Sequence, residues 1–406
     1  MPEALLFRKS LKRHLKLITY DKMKKLAFLT GSDLRSFGGG EKDIIGLSNK
    51  LKNFDVTIFS FRSNFGNRVT YEVIKARTDP RVKIFYFNAY SMPLVNNRLP
   101  LTYTGLKTIL RLKDFDVIYS MNSSILTNAF VSLVSKMYKK RFIIGIHSPG
   151  FLRETPVEPS FAKNIFIKLY NPVRNMVLRG IPNIRVQNKT DRASLLRLGY
   201  KGKIYTVPPH VFDKITIRKH DIENKDFIAL FVGRLSIKHK GLDLLSEIID
   251  KTLQKNREIQ FHIVGSGDGG EHLVRDLVRK YPKNVKWDGF LSEEDLDKEY
   301  KRSSIFLSTS RGENFGISLG EAQGYGIPGI AFRVMGSEDI LTKKIQGRLV
   351  KPFDINEYSK SIIEYFTQWK KDRKMYMQNK IKISKIASSL YGDEVVVPSM
   401  ARMFND

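Results

Sequence analysis

Short apolar runs recur along the chain, and between them apolar residues return every three or four positions. The runs KLAFLTG (25–31), DVTIFSF (55–61), VKIFYF (82–87), DVIYS (116–120) and FIIGI (142–146) read as buried parallel strands. Helical spacing follows in EKDIIGLSNKLKNF (41–54) and TNAFVSLVSKMYKK (127–140). PNIRVQN (182–188) and KIYTVPP (203–209) read as the last strands of this half, around a short helix closed by Gly199. The segment 213–225 is polar and aperiodic, and a linker is placed there. The pattern then restarts. FIALFVGRL (227–235), IQFHIVGSG (259–267), VKWDGF (285–290), SIFLSTS (304–310) and IPGIAF (327–332) read as strands. Between them stand helical stretches, including the amphipathic GLDLLSEIIDKTLQ (241–254), and Glu321 is expected to begin a helix. Further helices are expected over about 356–391. Strands alternating with helices imply parallel sheets with helices on both faces.

The fold class expected is therefore α/β, with two Rossmann-like doubly wound domains, residues 23–212 and 226–390, facing a central cleft. Ligands of such sheets bind outside the carboxyl ends of the strands. A tail, 391–406, is expected beyond the second domain, where it can pack back on the first. Residues 1–22 precede the first strand; they read as a basic amphipathic extension or as a consequence of start-site choice, with Met23 directly before the strand.

Composition narrows the function. The chain has 406 residues, enough for two cores, and no cysteine, which excludes disulfides and thiolate metal sites. The seven histidines show no metal-ligand spacing, and no apolar run reaches the roughly 18 residues that span a bilayer. Residues 1–26 lack the apolar core of a signal peptide, so a cytoplasmic location is expected. The net charge is +29, of which residues 1–205 carry +24 and residues 206–406 only +5. Such a basic half can be a solubilising surface. The asymmetry favours a face for something anionic: membrane lipid, a phosphorylated acceptor or nucleic acid.

The chemistry-bearing residues follow strands in the second half. Arg234 comes directly after one, and Lys240 stands just before Gly241. Two cations beside a helix N-terminus suit a diphosphate. Glu313 and Glu321 are eight positions apart and enclose Asn314, Phe315 and Gly316. An ionised carboxylate is acceptor-only and suits sugar hydroxyls, while backbone at Gly316 can approach a ligand closely. Gly265, Gly267 and Gly270 spell the dinucleotide-binding pattern after a strand, with Asp288 ending the next. The pattern lies in the middle of the second half, not at its opening turn, so a loop near the donor is the better reading.

These motifs together resemble retaining glycosyltransferases of family 4, with the GT-B fold. The resemblance spans nearly the whole chain and is concentrated between 230 and 352, including QGRLVKPFD (346–354). It implies that Arg234 and Lys240, with Gly233, hold the donor diphosphate, that Glu321 binds ribose, and that Glu313 binds the transferred sugar. Backbone at Asn314, Phe315 and Gly316 would assist. Gly38, Gly39 and Gly40 resemble the family's glycine-rich loop, and His147 its active-site histidine. Gly265 and Gly267 are placed in the donor loops. The chain departs from the family at Pro209 and His210, where an Asn-Gly pair is frequent, and at Ser148.

The expected reaction is metal-independent transfer, with retention, of a sugar from a nucleoside diphosphate sugar to a hydroxyl acceptor. The nucleotide sugar is a co-substrate and no cofactor is expected. By the same analogy the basic half takes the acceptor, a lipid-linked or membrane-associated glycan, at the cytoplasmic face of an anionic membrane. A nucleic-acid-binding protein is the alternative from another class, but no recognisable nucleic-acid module is present. A catalytically silent sugar-nucleotide-binding subunit is a third, opposed by the intact Arg234, Lys240, Glu313 and Glu321.

Overall fold

The computed structural model describes residues 23–63, 69–91, 98–121, 124–147, 171–212 and 226–406. The expected basic extension (1–22), the linker (213–225) and Ser148 lie outside the described residues.

Two large parallel sheets carry the fold. The first contains β1 (Lys24–Leu29), β2 (Phe54–Phe61), β3 (Lys83–Phe87), β6 (Val117–Ser120), β7 (Arg141–Ile146), β8 (Asn183–Val186) and β9 (Lys203–Thr206). Their order is β3-β2-β1-β6-β7-β8-β9. The second contains β10 (Ile228–Val232), β11 (Gln260–Val264), β12 (Val285–Trp287), β13 (Ile305–Ser308), β14 (Gly329–Phe332) and β15 (Gly347–Val350), in the order β12-β11-β10-β13-β14-β15. The pairings are parallel, with Leu26 opposite Val56 in one sheet and Leu230 opposite His262 in the other. The strand order reverses direction at β1/β6 and at β10/β13, the doubly wound topology that the alternating pattern implied. A two-residue antiparallel pair, β4 (Tyr90–Ser91) with β5 (Arg98–Leu99), was not anticipated.

Two compact units divide the chain. One holds Met1–Ser36 with Ser48–Ile143, the other Phe37–Leu47 with Ile144–Asp406.

The helix Leu242–Lys255 illustrates how the second sheet is covered. Leu242, Leu245, Ile248, Ile249 and Leu253 recur at helical spacing and are all buried against the sheet. Each such side chain contributes about 1.5–3 kcal/mol of burial. The helix opens at Gly241, whose φ of 64° lies in the left-handed region. A Cβ there would also come within 2.3 Å of the Thr309 carbonyl oxygen, so this turn demands glycine. It stops at Asn256, whose side chain accepts from the Glu258 backbone in a local turn that competes with the helix. The helix Ile355–Lys371 is pinned to the same sheet by Tyr358, which donates to the Ile330 carbonyl and accepts from the Ser308 N–H at 3.0 Å.

Three differences from the sequence reading stand out. The strand β15 was seen only as part of a motif, because four residues containing Gly and Arg give no strand signal. The helix containing Glu321 begins at Ile317, so Glu321 lies one turn inside it and not at its start. The tail is a helix, Asp393–Asn405, that buries Val396, Met400, Met403 and Phe404.

Candidate active site

In the second unit, most of the expected site residues follow the carboxyl ends of strands. Gly233, Arg234 and Lys240 follow β10; Gly265 and Gly267 follow β11; Glu313, Asn314, Phe315 and Gly316 follow β13; His147 follows β7. Gly39 and Gly40 open the helix Gly39–Lys50, so the glycine run is loop only at Gly38. Glu41 accepts from the Gly38 N–H at 2.8 Å, and a Cβ on Gly39 would lie 2.7 Å from Ile317, directly beside Gly316.

The centre of the site is an ion pair. Lys240 Nζ donates to Glu313 Oε1 at 2.5 Å, and Ser310 Oγ donates to the same oxygen at 2.8 Å. Both charged side chains are largely buried, at 18% and 21% exposure. Burial by itself raises the Glu313 carboxyl, but Lys240, the Ser310 hydrogen bond and Arg234 outweigh it and hold the group below its ordinary value. Glu313 is therefore ionised at neutral pH. A small cavity opens beside it, lined by Lys240, Ser310, Glu313, Gly316 and Ser318.

Neighbouring loops lock this pair in place. Arg311 forks onto Asp243, NH1 to Oδ1 at 2.9 Å and NH2 to Oδ2 at 2.6 Å, and its NH1 also donates to the Ile237 carbonyl. Thr309 Oγ1 donates to the Lys240 carbonyl at 2.8 Å, and the Glu313 N–H to the Met335 carbonyl at 3.3 Å. The loops after β10, β13 and β14 thus fix each other. Arg234 takes a different setting: it is exposed and paired with Asp268 at 2.7 Å.

Glu321 sits apart from Glu313 in chemistry as well as in sequence. Tyr300 Oη donates to Glu321 Oε2 at 2.7 Å, and Tyr325 stacks on Tyr300 with centroids 4.9 Å apart. Burial raises the Glu321 carboxyl above its ordinary value, only partly offset by Lys42 and by the Tyr300 hydrogen bond. Two carboxylates with opposite shifts do not share a task.

His147 belongs to a relay of amides. Its Nδ1 meets Gln187 Nε2 at 2.6 Å, while Gln187 Oε1 accepts from Asn314 Nδ2 at 2.8 Å. Asn314 also donates to the Ile146 carbonyl at 3.3 Å, and its own carbonyl accepts from Asn188 Nδ2 at 2.8 Å. Asn314 Oδ1 is buried without a partner among the described residues. Burial, and then Arg185, push His147 well below its ordinary pKa, so the imidazole is neutral. With Gln187 donating to Nδ1, the remaining proton is on Nε2.

The glycine-rich loop after β11 has a packing explanation. A Cβ on Gly265, whose φ is 136°, would fall 1.8 Å from the Gly233 carbonyl oxygen. The Gly270 N–H donates to the Leu235 carbonyl at 2.9 Å, and the Gly267 N–H to Glu271 at 2.7 Å. The glycines let this loop press against the Gly233–Ser236 turn, so the dinucleotide-like spacing needs no dinucleotide. Asp288 faces Lys286 at 2.8 Å.

The departure at Pro209 and His210 is also explained. The His210 N–H donates to Asp43 at 2.7 Å, and its Nε2 meets Asp393 at 2.5 Å. Asp43 is in turn 3.7 Å from the buried Arg185, which donates to the Val207 and Pro208 carbonyls. Burial raises the Asp43 carboxyl despite Arg185. This stretch is therefore a structural joint.

Sequence reasoning missed Ser310, Asp243, Arg311, Gln187, Tyr300 and Asp268. Ser310 alone had a local signal, three residues before Glu313 after a strand; the others meet their partners across 21 to 127 residues. Among the described residues, no group of three or more His, Asp or Glu side chains is arranged to hold a metal ion, and no helix is long and apolar enough to cross a membrane.

Residues 212–382 match the family model of glycosyl transferases group 1. A Klebsiella pneumoniae protein named as an uncharacterized 41.2 kDa protein in the cps region is 27% identical over 176 residues, 42% of this chain and 47% of that one. The chain thus spans about half the length of that relative. An uncharacterized glycosyltransferase of Haemophilus influenzae is 23% identical over 386 residues, covering 92% of this chain and 98% of its own. Among solved structures, HepE of Anabaena, in complex with UDP and glucose, superposes with a TM-score of 0.72 at 17% identity, over 94% of this chain and all of that one. With its two parallel-sheet Rossmann-like halves the chain has the GT-B fold, and its residues 212–382 match the glycosyl transferases group 1 model.

Proposed function

We propose that the protein is a glycosyltransferase that moves a sugar from a nucleoside diphosphate sugar to a hydroxyl acceptor with retention at the anomeric carbon. The observation that carries this reading is the Lys240–Glu313 pair, ionised, partly buried and held by three loops at strand ends. An ionised carboxylate held in one orientation is an acceptor for vicinal sugar hydroxyls. Lys240 and Arg234 both stand paired with acids, Glu313 and Asp268. A diphosphate would draw on both cations, exchanging the exposed Asp268 partner while Glu313 turns to the sugar.

In the step we infer, the acceptor oxygen bonds to the anomeric carbon as the bond to the diphosphate breaks on the same face. The departing phosphate oxygen takes the acceptor proton. Positive charge at Arg234 and Lys240 is fixed where the leaving-group charge develops, which is the main catalytic device and requires no metal. His147, neutral and with its Nε2 proton directed away from Gln187, is a hydrogen-bond donor to the sugar. Glu321 accepts from the ribose with the oxygen that Tyr300 does not occupy. UDP is the first nucleotide to test, since HepE was solved with it. The acceptor we infer is borne on an anionic membrane at the cytoplasmic face, supported by the +24 charge of residues 1–205.

A panel of nucleotide sugars tests the donor reading. The matching donor raises the melting temperature, because a ligand that binds only the folded state stabilises it by about 2.7 kcal/mol at one hundred times its Kd. Glu313→Ala should keep its circular dichroism spectrum and lose transfer by about 100-fold or more. No stabilisation by any nucleotide sugar would sink the proposal.

A further inference from the structure

We infer that two adjacent helices of the first unit form a docking face for an anionic lipid surface. The inference deepens the membrane-borne acceptor proposed above and rests on that reading for its purpose, but not for its geometry. The helices Tyr103–Arg111 and Ile125–Met137 pack together, and the turn Leu112–Asp114 packs on the second. On the first helix Gly105, Thr108 and Ile109 face inward. Its outward stripe is apolar: Tyr103, Leu106 and Leu110 are 79%, 45% and 57% exposed and share one face at helical spacing. The second helix does the same at its end, where Leu133 and Met137 are 58% and 66% exposed and Tyr138 follows.

Large apolar side chains exposed on two helices that pack together signal an interaction surface, unlike singly scattered ones. The rim gives the partner's sign. Lys107 lies over the Tyr103 ring and Lys113 over the Tyr138 ring, each at 5.9 Å, and Lys136 and Lys139 are exposed beside them. Over residues 98–140 the acids are Asp114 and Asp116, the latter already accepting from the Lys25 N–H. Leucine and methionine with a lysine rim suit acyl chains below a layer of anionic headgroups, where lysine stems lie along apolar surface and their charges reach the phosphates. A second copy of the chain would set one lysine rim against the other. A nucleic acid would gain nothing from covering these exposed leucines.

The test is sedimentation of the full chain with phosphatidylcholine vesicles, with and without phosphatidylglycerol. Binding is expected to the anionic vesicles only, and to weaken as salt rises. The triple variant Leu106→Ser, Leu110→Ser, Met137→Ser should bind at least tenfold more weakly at an unchanged melting temperature. Lys107→Gln and Lys136→Gln should each cost about fivefold, as expected for one basic residue at such a surface. Binding by the triple variant equal to wild type, or a concentration-dependent dimer abolished by the same substitutions, overturns the inference. The melting-temperature shift with nucleotide sugar, measured on the triple variant, separates the two proposals: its persistence leaves the donor reading intact when the vesicle result fails.

Discussion

At the scale of single residues, the two acids of the E-x7-E spacing turn out to be opposites. Glu313 is held ionised by Lys240, and Glu321 is pushed up by burial with Tyr300 as its donor. The sign of each shift gives a stability consequence. Glu321 keeps its proton to higher pH in the folded chain than in the unfolded one. Its ionisation therefore costs stability as pH rises from the ordinary carboxylate range through the raised folded value. Glu321→Gln removes that cost and keeps an acceptor for Tyr300. The variant is expected to melt above wild type at pH 7, with the gap closing as pH falls into the ordinary carboxylate range, and to be stabilised less by nucleotide sugar. Melting curves against pH check this, and a gap independent of pH contradicts it. Glu313 runs the other way: its contribution is present above the ordinary range and is lost as pH falls through its lowered value. The position of the acids after a strand was legible because it is local in the chain. Their unequal environments were not, because Lys240 and Tyr300 come from 73 and 21 residues away.

At the scale of elements, the loops after strands are held by backbone contacts that admit no Cβ. Gly265 is the sharpest instance, with the Gly233 carbonyl 1.8 Å from where its Cβ would stand and φ at 136°. Gly265→Ala must push apart the turns that carry Arg234 and Asp268. A loss of about 1–3 kcal/mol is expected from the strained backbone alone, visible as a lower urea midpoint without ligand. Were the glycine there only to admit a ligand, stability would be unchanged and binding alone would fall. The strands and most helices were readable from periodicity, since a strand buried on both faces is a continuous apolar run. The start of the Glu321 helix was not, because Gly316 and Gly320 make its first turns look like a loop. The last helix was also missed: the β-branched run of Val395, Val396 and Val397 and then Pro398 argue locally against a helix that burial enforces.

At the scale of the whole molecule, the C-terminal helix closes the second unit. Val396, Met400, Met403 and Phe404 are all fully buried. Asp393 meets His210, and Asp406 meets Lys203 at 2.9 Å. Four such side chains amount to about 1.5–3 kcal/mol each, against a typical domain stability of about 5–15 kcal/mol. A chain ending at Gly392 is expected to lose cooperative unfolding and to expose apolar surface, as read by dye binding and calorimetry. Retention of a single sharp transition would show the helix to be dispensable.

The sequence by itself determined the alternation of strands and helices, the two parallel sheets, and the cations and acids placed after strands. These follow from short-range rules: period, turn chemistry and the polarity of a parallel sheet. Tertiary structure alone decided which charges meet. It paired Lys240 with Glu313, Arg234 with Asp268 and Arg311 with Asp243, linked His147 to Asn314 through Gln187, and turned the glycine pattern after β11 into a packing device. Coulomb and desolvation terms depend on distance in space and on exclusion of water, and neither quantity is written in the spacing of residues along a chain.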